Sequence, residues 1–356
     1  MGSRRLKVCI CGGGNLAHAF LAVLGNERLA QVRLLSRKPE RWSRQVKLFY
    51  EQRGVLAGDI SVISDDPAET VSGSDLVIFA LPAFAHREVM EKIKPFLRSD
   101  AWIGAMPGTA GFGWLAREIL GRSHKVFVSE RAPYVCRILC YGDSVHVSGI
   151  RDKVLVGAET GAAEISRLLG RLFRIRSIPV NGFLPIYLSP GNSIFHSSRL
   201  FNLFGKWRKG QGFPRETLFY EDWNDEAAAL YLECDKDLAM LRKTISGDYR
   251  AVQTIKQHYK VSNERALAQR IRGINALRGI LAPMVKTSGG YVPDFAHRFF
   301  REDAVLGLGF IRKISENSDV HTPTIGRIHK WAVKMSGLSG QPREIGFSDR
   351  VFDFGC

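Results

Sequence analysis

The stretch "SPGNSIFHSSRLF", residues 189–201, sets an asparagine, a histidine and an arginine among apolar residues. Ser189 followed by Pro190 reads as a helix N-cap and first helical position, so a helix should run through Asn192 and His196. Asn192, His196 and Arg199 are separated by four and then three residues and share one face, while Ile194 and Phe201 fall on another. A polar face of this kind is either solvated or lines a cleft, and spacing leaves both readings open. In a cleft beside a redox cofactor the histidine would make chemical sense, because its proton affinity lies near neutrality and it can give or take a proton as hydride moves. It would need a carboxylate to hold its tautomer, and spacing does not identify one.

A second chemistry-bearing stretch is "CGGGNLAHA". Gly12, Gly14 and Ala17 occupy the small positions of G-x-G-x-x-A, directly after the strand-like "LKVCIC" and at the start of a helical pattern. Small residues there let the chain turn tightly, approach a pyrophosphate and pack the next helix on the sheet, and that helix offers free N–H groups at Asn15, Leu16 and Ala17. The bland reading is a tight turn with no ligand. At the end of the second strand, where an NAD site presents an acid to the ribose, this chain has Ser36, Arg37 and Lys38, then Arg41. A hydroxyl and cations favour a 2′-phosphate, hence NADP (NADPH) over NAD, with NAD still possible; the alternative is a solvated loop.

The elements that must position these residues come in two textures. From residue 6 to about 180, short Val- and Ile-rich runs alternate with helical patterns: "LKVCIC", "QVRLLS", "DLVIFALP", "WIGAMPG" and "KVFVSE", then "DSVHVSG", "DKVLVGA", the helix "AAEISRLLGRLF" and the strand "RIRSIPV". This predicts an α/β fold with a parallel, doubly wound sheet. Beyond about 185 the periodicity becomes helical in "NDEAAALYLECDKDLAMLRKTI", "SNERALAQRIRGINALRGIL" and "PTIGRIHKWAVKM", and strand signals almost vanish. The boundary falls at "VNGFLPIYLSPG", giving residues 1–185 as the dinucleotide-binding domain and 186–356 as an all-α substrate and catalytic domain.

Composition excludes several classes. With 356 residues, 45% apolar and 24% charged, the chain is a globular protein long enough for two domains, not a disordered or coiled-coil one. No run approaches a membrane span and no leader pattern opens the chain, which points to the cytoplasm. The six cysteines fit neither a disulfide framework nor a zinc spacing, so they read as reduced thiols, and no metal site is expected. The net charge of +16 is spread along the chain rather than gathered with aromatics, which suits anionic cofactors and carboxylates better than nucleic acid.

Taken in order, "GGGNLAHA", "SDLVIFALPAFAH", "SERAPYVCRI", "GNSIFHSSRLF", "LFYEDWNDEAAALYLECDKD" and "HRFFREDAVLGLGFIRKI" resemble the octopine/nopaline (opine) dehydrogenase family over about residues 6–335. The most specific pieces are "PYVCR", N-x-x-x-H, and R-x-x-x-ED-x-x-x-GL, here Arg298, Glu302, Asp303, Gly307 and Leu308. The resemblance implies a Rossmann domain followed by a helical domain, with the active site in the crevice between them. It implies reductive condensation of a 2-keto acid with the amino group of an amino acid, using NADH or NADPH. By match, His196 pairs with Asp303 as catalytic acid/base and Asn192 contacts substrate. Tyr134, Arg137 and Tyr220 are carried over as substrate-binding, with an internal salt bridge as the alternative for Arg137, and Leu81 and Pro82 join the cofactor site. For Glu221, Asp222 and Asp235, capping or solvated roles compete with substrate contact. The family includes monomers and dimers, so a homodimer is compatible.

The sequence departs from the family after the histidine, where "FHSSRLF" lacks the usual proline, and after the acid pair, where "EDAVLGLGF" replaces proline and aromatic residues. Two other readings stay open. A simple ketone or 2-keto acid reductase of the 6-phosphogluconate dehydrogenase-like type would rely on a lysine for which no well-placed candidate appears. A non-catalytic NADP-binding sensor would have no need of both His196 and Asp303.

Overall fold

The structure is a computed structural model that describes residues 4–26, 30–51 and 54–338. It divides into two compact units, Met1–Ile186 and Tyr187–Cys356. The end of the tail, from residue 339, lies outside the described residues.

The first unit is built on the strands β1 (Leu6–Cys11), β2 (Ala30–Leu35), β3 (Gln45–Tyr50), β4 (Gly54–Asp59), β5 (Val62–Ser64), β6 (Leu76–Phe79), β7 (Trp102–Ala105), β8 (Lys125–Ser129), β9 (Tyr134–Cys140), β10 (Ser144–Ile150), β11 (Lys153–Ala158) and β12 (Arg176–Asn181). Eight of them form one sheet in the order β12-β11-β8-β7-β6-β1-β2-β5. From β5 to β8 all neighbours are parallel; β11 then runs antiparallel to β8. The central strands carry unbroken apolar runs because both sheet faces are covered, and Val8, Ile10, Leu34, Leu76 and Ile78 are fully buried. The chain order reverses direction across the sheet between β1 and β6, where an open α/β sheet makes its crevice.

Four strands form a second sheet, β4-β3-β10-β9. Three of them, β3, β4 and β9, are additional to the expected strands, although "QVKL" at the start of β3 alternates exposed and buried in the period of two expected of a half-covered strand. This sheet covers the side of the first helix, Asn15–Asn26, that the main sheet leaves free, so residues 17–24 are buried all round. The close approach requires a glycine: a Cβ at Gly58 would stand 2.7 Å from the Leu21 carbonyl oxygen.

The second unit is helical, with one hairpin of β13 (Met284–Thr287) and β14 (Gly290–Pro293). The helix Asp225–Thr244 starts where the Asn224 side chain accepts the Ala227 N–H, and Ile255–Tyr259 starts on a Thr254/Gln257 capping box. The periodicity after Asn263 breaks at Gly273, so the helix there is Glu264–Arg272 followed by a single tight turn, Asn275–Leu277. One start is corrected. The helix carrying His196 is Asn192–Phe204 with Gly191 as its N-cap, not Ser189 with Pro190. Gly191 is extended (φ −102°, ψ −166°), which separates Pro190 from the helical hydrogen bonds.

Candidate active site

In the first unit the ends of three parallel neighbours converge. β1 runs into the glycine turn, β2 ends before Ser36, and β6 ends before Leu81 and Pro82. Gly12 adopts φ +132°, and a Cβ on it would come within 2.5 Å of the Ala80 carbonyl oxygen, so only glycine lets the turn pass the end of β6. Gly14 faces open space: a Cβ there would meet no atom within 4 Å. Behind it the N–H groups of Asn15, Leu16 and Ala17 open the helix and bond to no acceptor among the described residues. A turn that excludes side chains and presents N–H groups fits a pyrophosphate.

Two internal ties hold the turn, and sequence reasoning assigned neither. His18 Nδ1 is 2.9 Å from the Gly14 carbonyl and donates to it, while its Nε2 accepts the Gly142 N–H at 2.7 Å. Burial lowers the His18 proton affinity, with the Gly14 bond opposing, which favours the neutral ring that this pairing needs. The Asn15 side-chain oxygen accepts the Ile138 N–H at 2.9 Å. The spacing "GNLAH" contains both residues; their distant partners, Ile138 on β9 and Gly142 in the turn after it, lie over 120 residues away.

At the end of β2, Ser36 is buried and its hydroxyl accepts from the Trp42 indole at 3.2 Å and from the Lys38 N–H at 3.4 Å, leaving its own proton to donate. Arg37, Lys38 and Arg41 are exposed, and the Arg41 guanidinium carbon lies 4.6 Å from the centre of the Tyr141 ring. A hydroxyl with cations around it, and no acid at positions 36–38, fits a phosphate on the ribose.

Of two first-unit residues expected at substrate, one is bonded inward and the other is exposed. Tyr134 is buried in the core, its ring against Phe20 and Phe173 and its hydroxyl donating to the Phe173 carbonyl at 3.0 Å, a commitment that a substrate contact would have to break. Arg137 is exposed on β9, bonded to the carbonyl of its neighbour Cys136, and makes no ion pair among the described residues.

In the second unit His196, Asp303 and Tyr220 meet. His196 Nδ1 is 2.8 Å from Asp303 Oδ2, and its Nε2 is 2.9 Å from the Tyr220 hydroxyl. All three are buried, with exposures of 5%, 6% and 4%. A carboxylate only accepts, so Nδ1 carries the proton and Nε2 is the acceptor of the phenol O–H. Phe299 stacks on the imidazole at a centroid distance of 4.1 Å. His297 is close enough that His196 and Asp303 act on its charge; burial above all, then Arg298, lowers its proton affinity.

The local folds explain the convergence. Asp303 sits in a π-helical stretch, Phe299–Gly307, whose wider turn is a common device at functional sites. Its last residue, Gly307, abuts Ser193 on the histidine helix: a Cβ there would come 2.8 Å from Ser193 Cβ. Tyr220 lies in a loop held by Arg199, the third member of the polar face. Arg199 is not solvated; it is 1% exposed and donates to the Phe219 carbonyl at 2.9 Å, the Leu218 carbonyl at 3.4 Å and Asn202 Oδ1 at 2.8 Å. Burial brings its ionisation down to about 10, with Asp222 opposing, so it remains charged at neutral pH. Asn192, at the helix start, is exposed.

The neighbouring acids serve the scaffold. Glu221 accepts the Gly279 N–H at 2.7 Å, Asp222 the Leu218 N–H at 3.0 Å, and Asp235 the Ile255 N–H at 2.7 Å while pairing with Arg242 at 3.3 Å. Arg298, quoted above only as part of a motif, is exposed, and its guanidinium carbon is 5.2 Å from the Phe299 centroid, the ring that covers His196. Its signal was position, five residues before Asp303. Among the described residues no cluster could hold a metal ion, and no helix is long and apolar enough to cross a membrane.

Comparison with known proteins matches two stretches of the chain. Residues 179–336 match the family described as NAD/NADP octopine/nopaline dehydrogenase, alpha-helical domain, and residues 7–107 match NADP oxidoreductase coenzyme F420-dependent. The octopine dehydrogenase of Pecten maximus is 27% identical over 93% of this chain and 90% of its own length. The tauropine dehydrogenase of Arabella iricolor is 27% identical over 92% and 91%. Among solved structures, an octopine dehydrogenase described with NADH and pyruvate superposes with a TM-score of 0.83 at 25% identity, covering 96% of each chain.

Proposed function

We propose that the chain, an NAD(P)-dependent oxidoreductase acting on CH–NH bonds, works as an octopine/nopaline (opine) dehydrogenase and joins a 2-keto acid to the amino group of an amino acid with NADPH as reductant. The product is an N-(carboxyalkyl) amino acid. The observation that carries the reading is the buried His196–Asp303 pair at 2.8 Å in the helical unit.

The roles follow from the chemistry of each group. Residues 1–185 hold the dinucleotide: Gly12, whose own N–H bonds the Leu35 carbonyl, closes the turn, the N–H groups at Gly14, Asn15, Leu16 and Ala17 take the pyrophosphate, Leu81 and Pro82 border it, and Ser36, Arg37 and Lys38 take the 2′-phosphate. When bound, the nicotinamide supplies the hydride. Residues 186–356 do the proton chemistry. His196, steadied by Asp303, is the proton store: its imidazolium is the source of the proton with which the carbinolamine loses its hydroxyl as water, and its neutral ring is where the proton lost by the attacking amine comes to rest. Asn192, Arg298 and Arg137 are polar groups exposed at the chain surface, suited to substrate carboxylates; for the arginines the bond is two-pronged. Pyruvate is the keto acid to try first, given the relative described with it. Reduced, free Cys9, Cys11, Cys136, Cys140 and Cys234 suit a cytoplasmic enzyme.

The test is NADPH oxidation by the purified protein with pyruvate, 2-oxoglutarate or glyoxylate, each alone and then with a panel of amino acids. Turnover that requires both partners is the expected result. Turnover with a keto acid alone would replace the condensation with simple carbonyl reduction.

A further inference from the structure

An imidazole has two ring nitrogens, and in this protein both are taken. Asp303 holds Nδ1 at 2.8 Å, the Tyr220 hydroxyl holds Nε2 at 2.9 Å, and Phe299 covers one ring face. A histidine in that position has no free nitrogen for a substrate. Nor is Tyr220 a loose cover. Its ring is 4% exposed, lies 5.5 Å from Phe195 and 6.5 Å from Trp223 in near-parallel stacks, and meets Phe219 edge-on at 4.9 Å. The Arg199 guanidinium fixes the carbonyls of Leu218 and Phe219, the two residues before it. Moving the phenol aside would mean unstacking three aromatic rings and releasing a buried cation.

We propose that Tyr220 is a catalytic residue: the outer member of a Tyr220–His196–Asp303 proton relay, whose phenol, not the imidazole, exchanges protons with the substrate. The inference rests on the reductive-condensation reading above. When the carbinolamine loses water, the phenol O–H protonates the leaving hydroxyl as the C–O bond breaks, and the imidazolium Nε2–H passes to the phenol oxygen in the same motion. The phenol ends protonated and His196 ends neutral. In the amine-attack step the hops reverse: the nitrogen's proton goes to the phenol oxygen and the phenol's proton to Nε2, while the keto oxygen, left as an alkoxide, takes from solvent the one proton that the overall condensation consumes. Asp303 stays an acceptor throughout and stabilises the imidazolium between the two steps. A phenol suits the task because its hydroxyl donates and accepts at one oxygen.

The test uses the full-length enzyme with its own substrate pair. Tyr220→Phe keeps the stacked ring and removes the hydroxyl; kcat should fall about 10²-fold or more, with KM for the keto acid within about threefold of wild type. Fluorotyrosines placed at 220 by codon suppression keep size and hydrogen bonding while making the phenol progressively more acidic. Through a relay kcat should change steadily along that series; for a residue that only positions His196 it would stay flat. A flat series, or a Y220F enzyme as fast as wild type or faster, overturns the relay and leaves the condensation standing. Wild-type enzyme silent with every pair of substrates would instead strike the condensation itself, and the relay with it.

Discussion

The distance between His196 and Asp303 is set where their helices touch, and the contact can be loaded. Ser193 lies three residues before His196 and Gly307 four after Asp303, and a Cβ on Gly307 would stand 2.8 Å from Ser193 Cβ, nearer still to its Oγ. Carbon atoms in contact settle at about 3.5–4.0 Å, so Gly307→Ala must part the two elements by about 1 Å at that level. Added to the 2.8 Å bond between Nδ1 and Oδ2, that shift exceeds hydrogen-bond range. Overpacking of this kind costs about 1–3 kcal/mol, or roughly 2–12 °C in the Tm of the helical unit, and a 1 Å misplacement at a reacting group costs kcat on the order of 10²-fold. Thermal unfolding followed by circular dichroism and steady-state NADPH oxidation measure the two effects. Ser193→Gly removes the atoms that the added methyl group would strike, so in the double variant part of both losses should return, beyond additivity. A G307A enzyme with wild-type kcat and Tm, or a strictly additive double variant, would show that this contact does not govern the pair.

Three shorter predictions follow. Asp303→Asn can turn an N–H toward Nδ1 and select the wrong imidazole tautomer; kcat should drop by on the order of 10²–10⁴-fold in a folded protein, and a loss below about tenfold would refute the acid/base role. Arg37→Ala with Lys38→Ala should raise KM for NADPH roughly ten- to a hundredfold and leave KM for NADH in place, an effect weakened by salt; equal changes for the two cofactors would remove these residues from the 2′-phosphate. Burial lowers His86 and His329 to about 4, with the Arg312 charge adding to the shift at His329. A histidine that protonates more readily unfolded stabilises the fold above its ordinary value near 6.5 and withdraws that support as pH falls towards 4, by up to roughly 3 kcal/mol each. His329→Asn keeps an acceptor for Arg312 and should flatten part of the Tm decline between neutral pH and pH 4; an unchanged slope would exclude His329.

Much of the architecture is legible because it is local. Apolar runs of strand length separated by helical periods announce a parallel sheet, and "CGGGNLAHA" announces a turn that must avoid side chains, which the close approach of Gly12 to Ala80 explains. The second sheet was less visible. Its strand β3 pairs with β10, about a hundred residues on, so no neighbouring stretch signals the pairing. Likewise, one polar helix face reads the same whether water or protein covers it. Arg199 is covered, and its role is to hold a loop.

The sequence by itself determined the alternation of elements, the glycine turn, the absence of an acid beside Ser36 and the shared helix face of Asn192, His196 and Arg199, since each depends on spacing within a few turns of chain. The family match already paired His196 with Asp303; only the tertiary structure decided that Tyr220 takes the second nitrogen, that Tyr134 bonds inward and that Asp235 caps a helix. Those outcomes depend on how elements 20 or more residues apart pack, and a hydrogen bond is made or lost over less than an ångström.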